Sequence, residues 1–126
     1  MFLMNKLEEL FQLEFQSEAG GVSRFHCETD SGHPLFAGHF PGMPIIPGVC
    51  MLNVVKRAVS QKLDREVSFW KIRECKFLSA INPMENKVFD IEFGLTDEQE
   101  VRAAVFIGDT RCMKLKATLS CEWKDI

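Results

Sequence analysis

Between positions 38 and 49 the chain reads GHFPGMPIIPGV, and this run holds the residue types best equipped to do chemistry. His39 carries a side chain whose unperturbed pKa, roughly 6.5, leaves it largely neutral near pH 7 and able to accept a proton. Pro41, Pro44 and Pro47 fix φ, while Gly38, Gly42 and Gly48 free it, so the backbone around His39 is held to a particular path. The run leads into VCMLNVVKRAVSQKL, which has no Gly or Pro and predicts a helix from Val49 to about Leu63. At the start of that helix the N–H groups of Gly48 and Val49 lack intrahelical partners. With the helix dipole behind them they put positive potential where a carbonyl oxygen can be polarised. A proton acceptor beside a carbonyl-polarising helix start is equipment for moving a proton next to a carbonyl group. The plainer alternatives are a structurally satisfied histidine and a loop-to-helix junction with no ligand.

The elements that must hold this run follow from the spacing of apolar residues. Leu7, Leu10 and Phe11 suggest a short amphipathic helix over Asn5 to Leu13, or a helix running into a strand. The segments Phe11 to Gln16 and Val22 to Thr29, separated by the turn signal Glu18-Ala19-Gly20-Gly21, predict an antiparallel hairpin. In the central helix Val49, Leu52, Val55 and Val59 recur at three- and four-residue spacing. Cys50, Met51, Val54 and Ala58 are apolar too, so the first turns are hydrophobic nearly all round, as in a helix wrapped by other structure. Beyond Arg65 the pattern predicts strands over Val67 to Phe77, Lys87 to Leu95, Val101 to Ile107 and Met113 to Trp123. Polar turns at Asn82-Pro83, Thr96 to Gln99 and Gly108 to Thr110 make them an antiparallel meander or a similar sheet. One helix after two strands and before four more gives an α+β architecture in which the sheet curls around the apolar helix.

Size and composition fit one domain spanning 1–126, with a single core: 126 residues, 46% hydrophobic and 26% charged. No apolar run approaches the roughly 20 residues of a membrane span, and the opening MFLMNKLEELF lacks the basic segment and cleavage site of a secretory signal. The expectation is a soluble, cytoplasmic protein. Cys27, Cys50, Cys75, Cys112 and Cys121 contain no C-x-x-C pair and are odd in number, which fits reduced, mostly buried thiols, and there is no clustered Cys/His set for zinc. A formal charge of -3 argues against wholesale nucleic-acid binding.

The run Gly38-His39-Phe40-Pro41-Gly42-Met43-Pro44-Ile45-Ile46-Pro47-Gly48-Val49 resembles the active-site motif of the hotdog-fold 3-hydroxyacyl-[acyl-carrier-protein] dehydratases. Lys76-Phe77-Leu78, followed by a Pro-containing turn, is similar to that family's strand after the central helix. The resemblance implies a hotdog fold, a dimer with sites at the subunit interface, and acyl carrier protein or coenzyme A thioesters as substrates in fatty-acid or polyketide-type synthesis. It implies no cofactor and no metal. Dehydration needs a base for the Cα proton, positive potential at the thioester carbonyl and a donor for the departing hydroxyl. The resemblance gives the first role to His39, the second to Gly48 and Val49, and substrate contact to Phe40.

The third role is where the chain departs from the pattern. The family places Glu or Asp where this chain has Asn53, and an amide cannot deliver a carboxyl proton. Three explanations stay open: His39 shuttles the proton alone while Asn53 orients the hydroxyl or a water; a Glu-bearing paralogue completes the site in a heterodimer; or the chain binds acyl thioesters without dehydrating them, or hydrolyses them as a thioesterase. Glu28 and Asp30 are candidate substitute acids but read more simply as surface carboxylates, and Asp64 and Glu66 lie beyond the far end of the helix. His26 reads as a strand residue and His33 as a surface-loop residue that can also contact substrate. Lys71 with Arg73, and Lys114 with Lys116, share strand faces by the period of two; each pair is either a solvated face or a contact for an acidic carrier protein. Eleven phenylalanines and no tyrosine make the interior apolar, as core or as the lining of an acyl tunnel.

Overall fold

The computed structural model describes residues 10–30, 32, 45–96 and 99–121. Strands β1 (Phe11–Ala19) and β2 (Val22–Thr29) precede helix α1 (Gly48–Leu63), and β3 (Val67–Phe77), β4 (Val88–Leu95), β5 (Glu100–Ile107) and β6 (Thr110–Cys121) follow it. The six strands form one antiparallel sheet in the order β1-β2-β4-β5-β6-β3, with α1 against one face. This is the predicted α+β arrangement.

One row of paired residues shows how alternation builds the core. Phe15, Phe25, Ile91, Val105, Met113 and Phe77 lie side by side across all six strands. The four central members are buried, and the two end members are half exposed. Successive strand residues point to opposite faces, so Cys27, Phe89, Phe93, Ala103, Leu115 and Ala117 face the helix from neighbouring rows. The helix answers with Cys50, Met51, Val54, Val55, Ala58 and Val59, a stripe at alternating one- and three-residue steps. Val49 is outside that stripe and 64% exposed, and Leu52 is only half buried. The all-round hydrophobicity seen in the sequence therefore divides into a face covered by the chain's own sheet and a face that is not.

Several boundaries move. β1 continues through Glu18 and Ala19 with a bulge between Phe15 and Ser17. The turn is Gly20-Gly21, both at positive φ (59° and 79°), the conformation a two-residue hairpin demands of its central residues. The helix begins at Gly48, β4 at Val88, β5 at Glu100 and β6 at Thr110. Leu10 is the last helical residue before β1; the remainder of the proposed first helix, Asn5 to Glu9, lies outside the described residues.

The meander holds only for β4, β5 and β6. β3 pairs with β6, not β4, and closes the far edge of the sheet. Two bulges leave Trp70 and Arg73 without Cα partners. The alternation is reset at each, so Phe69, Ile72 and Cys75 share the helix face at three-residue spacing. This also corrects the pairing of Lys71 with Arg73: Lys71 sits opposite Thr118, while Arg73 is the extra residue of a bulge and reaches Glu100 at 3.1 Å. Lys114 and Lys116 do share the outer face.

Candidate active site

The start of α1 is built from a residue that cannot cap it. Pro47 stands at the N-cap with extended backbone (φ -61°, ψ 149°), makes no side-chain cap bond, and no acidic residue occupies the first turn. Its carbonyl accepts the N–H groups of Cys50 at 3.0 Å and Met51 at 3.2 Å. Among the described residues no backbone hydrogen bond takes up the N–H of Gly48 or Val49. Among the described residues no side chain compensates the partial positive charge at this end. Ile46 ties the approach to the fold, its N–H donating to the Ile81 carbonyl at 2.8 Å.

Gly48 has a second reason to be glycine. A Cβ there would lie 2.7 Å from Cζ of Phe77 and 3.1 Å from its Cε1, so the ring at the end of β3 rests on the helix start. The space that a side chain at this position would take is filled by the Phe77 ring. Phe77 was missed as a site residue because its link to Gly48 is a tertiary contact with no local sequence signal.

Asn53 lies one turn beyond Val49, so the two share a helix face, about 5–6 Å apart between Cβ atoms. The residue is half buried, and its Oδ1 is buried with no hydrogen-bond partner among the described residues. Leaving such an acceptor unpaired costs about 1–3 kcal/mol, so the position is not a neutral replacement on a solvated helix face. His39, Phe40 and His33 lie outside the described residues.

The other candidates separate from this end. His26 is on the outer face of the sheet, its Nδ1 2.9 Å from Asp90 Oδ1, with Arg24 donating to the same carboxylate at 2.8 Å. Glu28 is on that outer face, opposite Val88. Asp30 follows β2, and its Oδ1 accepts the N–H of Gly32 at 3.2 Å. Asp64 is the C-cap of α1, eleven residues and about 16 Å along the axis from Asn53. Burial pushes the Cys50 thiol up to about 11 and Cys27 to about 12, so even at a helix start Cys50 is a packing residue and not a thiolate nucleophile. Among the described residues no helix is long and apolar enough to cross a membrane.

A helix cradled by one antiparallel sheet in this strand order, with an uncapped start, is the frame of a hotdog protein. The chain belongs to the ApeI-like dehydratase family, whose model matches residues 13–114. It is 33% identical over 86 residues to a 3-hydroxyacyl-[acyl-carrier-protein] dehydratase FabZ of Chlamydia trachomatis, a match covering 60% of this chain and 56% of the relative. The chain thus spans little more than half the length of the curated relatives it matches. Among solved structures it resembles the dehydratase heterocomplex ApeI:P of Xenorhabdus doucetiae, with a TM-score of 0.70 and 21% identity over 86% of this chain and 95% of that one. It also resembles a hypothetical thioesterase with coenzyme A from Streptococcus pneumoniae, with a TM-score of 0.64 and 10% identity over 94% and 96% of the two chains. At these identities the structural likenesses establish the hotdog fold and nothing finer.

Proposed function

We propose that the chain, folded as one domain over 1–126, takes part in eliminating water from a 3-hydroxyacyl thioester. The thioester carbonyl accepts from the N–H groups of Gly48 and Val49 while His39 removes the Cα proton. The Cβ–O bond then breaks, and the hydroxyl leaves as water by taking a proton. The product is the 2,3-unsaturated thioester, and neither cofactor nor metal enters this scheme. Phe40 contacts the substrate. Asn53 orients the departing hydroxyl, and the proton comes back from the His39 imidazolium. The observation carrying this reading is the uncapped, acid-free helix start at Pro47-Gly48, one turn from the buried and unpartnered Oδ1 of Asn53.

A second reading, in which a partner subunit supplies the missing carboxyl group, is favoured by the β3 edge. Trp70, Ile72, Phe77 and Leu78 are 46% to 67% exposed there, and Val49 lies exposed at the helix start. Such an apolar edge suits a second hotdog chain, and a heterocomplex is what the Xenorhabdus doucetiae structure is described as.

The deciding experiment follows a 3-hydroxyacyl thioester by appearance of the unsaturated thioester, using wild type, His39→Ala and Asn53→Glu. Removing the base is expected to cost about 10²–10⁴ in rate. Activity in the wild-type chain alone supports His39 acting by itself; activity appearing only with Asn53→Glu supports a missing acid, as in a heterodimer partner or a non-catalytic thioester-binding subunit. Release of free thiol without unsaturated product makes the protein a thioesterase and ends both readings.

A further inference from the structure

The face of α1 that the sheet leaves uncovered carries a line of side chains that continues beyond Asn53. Val49, Asn53 and Arg57 follow one another at four-residue spacing, so Arg57 stands one turn past Asn53, about 5–6 Å away between Cβ atoms. All three lie off the buried stripe that runs from Cys50 to Val59. The helix carries Lys56, Arg57 and Lys62 and no acidic residue between Gly48 and Leu63. Among the described residues no carboxylate pairs with Arg57.

The guanidinium is nonetheless held in place. Its Nη1 donates to the carbonyl of Phe11, the first residue of β1, at 3.2 Å, which occupies one donor of a five-donor group. Burial pushes the Cys27 thiol up, and the nearby Arg57 charge draws it part of the way back. Lys56, three residues beyond Asn53, is a second cation on this side of the helix. The strands packed on α1 turn apolar rows toward it, with thiols such as Cys27 and Cys75 whose pKa burial raises. Glu14, Glu28, Asp90 and Glu92 lie on the outer face instead. Glu18, which does reach the helix, pairs with Lys62 in its last turn. Position 53 thus stands beside two cations that no ion pair among the described residues neutralises.

What that field does depends on the group at position 53. A carboxyl one turn N-terminal to an arginine is in the favourable order for an ion pair and is held ionised, and an ionised carboxyl has no proton to give. A neutral amide escapes this and leaves the cation free to act on charge that develops beside it. We propose that Arg57 is a positioning residue of the candidate site. Acting across Asn53, its fixed charge confines position 53 to an uncharged hydrogen-bonding side chain and stabilises the departing hydroxyl oxygen as the Cβ–O bond gives its electron pair to that oxygen. The proton from the His39 imidazolium then completes the water. The proposal rests on the dehydratase reading and deepens it: electrostatics from Arg57 takes the place of proton donation by the missing acid.

The test compares wild type, Arg57→Lys and Arg57→Gln, each as the full chain in its native assembly, on one 3-hydroxyacyl-pantetheine. Both replacements keep an N–H donor for the Phe11 carbonyl, but only lysine keeps the charge. Arg57→Gln is expected to lower kcat about tenfold or more with KM little changed, and Arg57→Lys to keep most of the wild-type kcat. Urea denaturation shows that each variant folds. Unchanged turnover in Arg57→Gln, equal loss in both variants, or a change in KM alone overturns the proposal and leaves Arg57 as an anchor for β1. A second measurement needs no turnover: the carboxyl introduced by Asn53→Glu is labelled with carbon-13 and titrated by NMR. It is expected to ionise below the ordinary glutamate value of roughly 4.3, and at least about one pH unit higher once Arg57→Gln is added. Equal titration in the two backgrounds overturns the proposal. Should no variant form the unsaturated thioester, the dehydratase reading fails by itself, and this titration decides the role of Arg57.

Discussion

The two ends of helix α1 are finished differently. At the far end Asp64 turns into the left-handed region (φ 56°, ψ 39°); its N–H donates to the Gln61 carbonyl and that of Arg65 to the Ser60 carbonyl. Lys62 complements the dipole in the last turn and pairs with Glu18 at 2.5 Å, and Ser60 Oγ accepts the N–H of Val67. At the near end Pro47 offers no cap, the first turn has no acid, and Asn53 Oδ1 is unpaired. Both ends belong to one helix in one sheet, so packing alone does not explain the difference. The far end is closed by its own chain, whereas among the described residues the near end keeps donors and an acceptor uncommitted, as the proposed substrate-binding role requires.

That contrast can be broken by substitution. The largest effect is expected at the contact between Gly48 and Phe77. Gly48→Ala forces the Phe77 ring away and is expected to destabilise the fold by about 1–2 kcal/mol. In a Phe77→Ala background the same change should be neutral or stabilising by about 0.5 kcal/mol, because the better helix former then meets no ring. A double-mutant cycle by urea denaturation reads the reversal of sign; additive effects would show that the ring does not constrain the glycine.

A smaller change sharpens the comparison by finishing the near end as the far end is finished. Pro47→Asp supplies a capping carboxylate and is expected to raise stability by about 1 kcal/mol while lowering turnover of the acyl thioester, since the donors are then occupied. A rise in stability with undiminished turnover would detach the helix start from the chemistry. The smallest effect belongs to the far end, where Asp64→Gly relieves a left-handed non-glycine residue and is expected to add about 0.5–1 kcal/mol. Its turnover should match wild type, and a thermal melt with a rate assay reads both.

The helix was legible from VCMLNVVKRAVSQKL because a long stretch without breakers needs no distant information. The hairpin was legible from Gly20-Gly21, although the strand runs on through Glu18 and Ala19, both of which are exposed strand residues rather than part of the turn. The pairing of β3 with β6 was not legible, since strand order is set by tertiary packing and the bulges at Trp70 and Arg73 interrupt the period of two that a strand announces. For the site, the breaker-free run located the helix start and the resemblance to the dehydratase motif singled out Asn53, whereas the Phe77 ring on Gly48 and the buried amide oxygen depend on how distant segments meet.

The double bulge of β3 bears on misassembly. An open edge strand offers its backbone groups to any extended chain, and long flat edges are templates for aggregation. Here the unpaired row is bent twice within Val67–Phe77, and the displaced residues are a bulky Trp70 and a charged Arg73. A straight intruding strand can match only a short stretch before register is lost. The geometry that obscured β3 in the sequence therefore also guards the open edge against straight intruding strands.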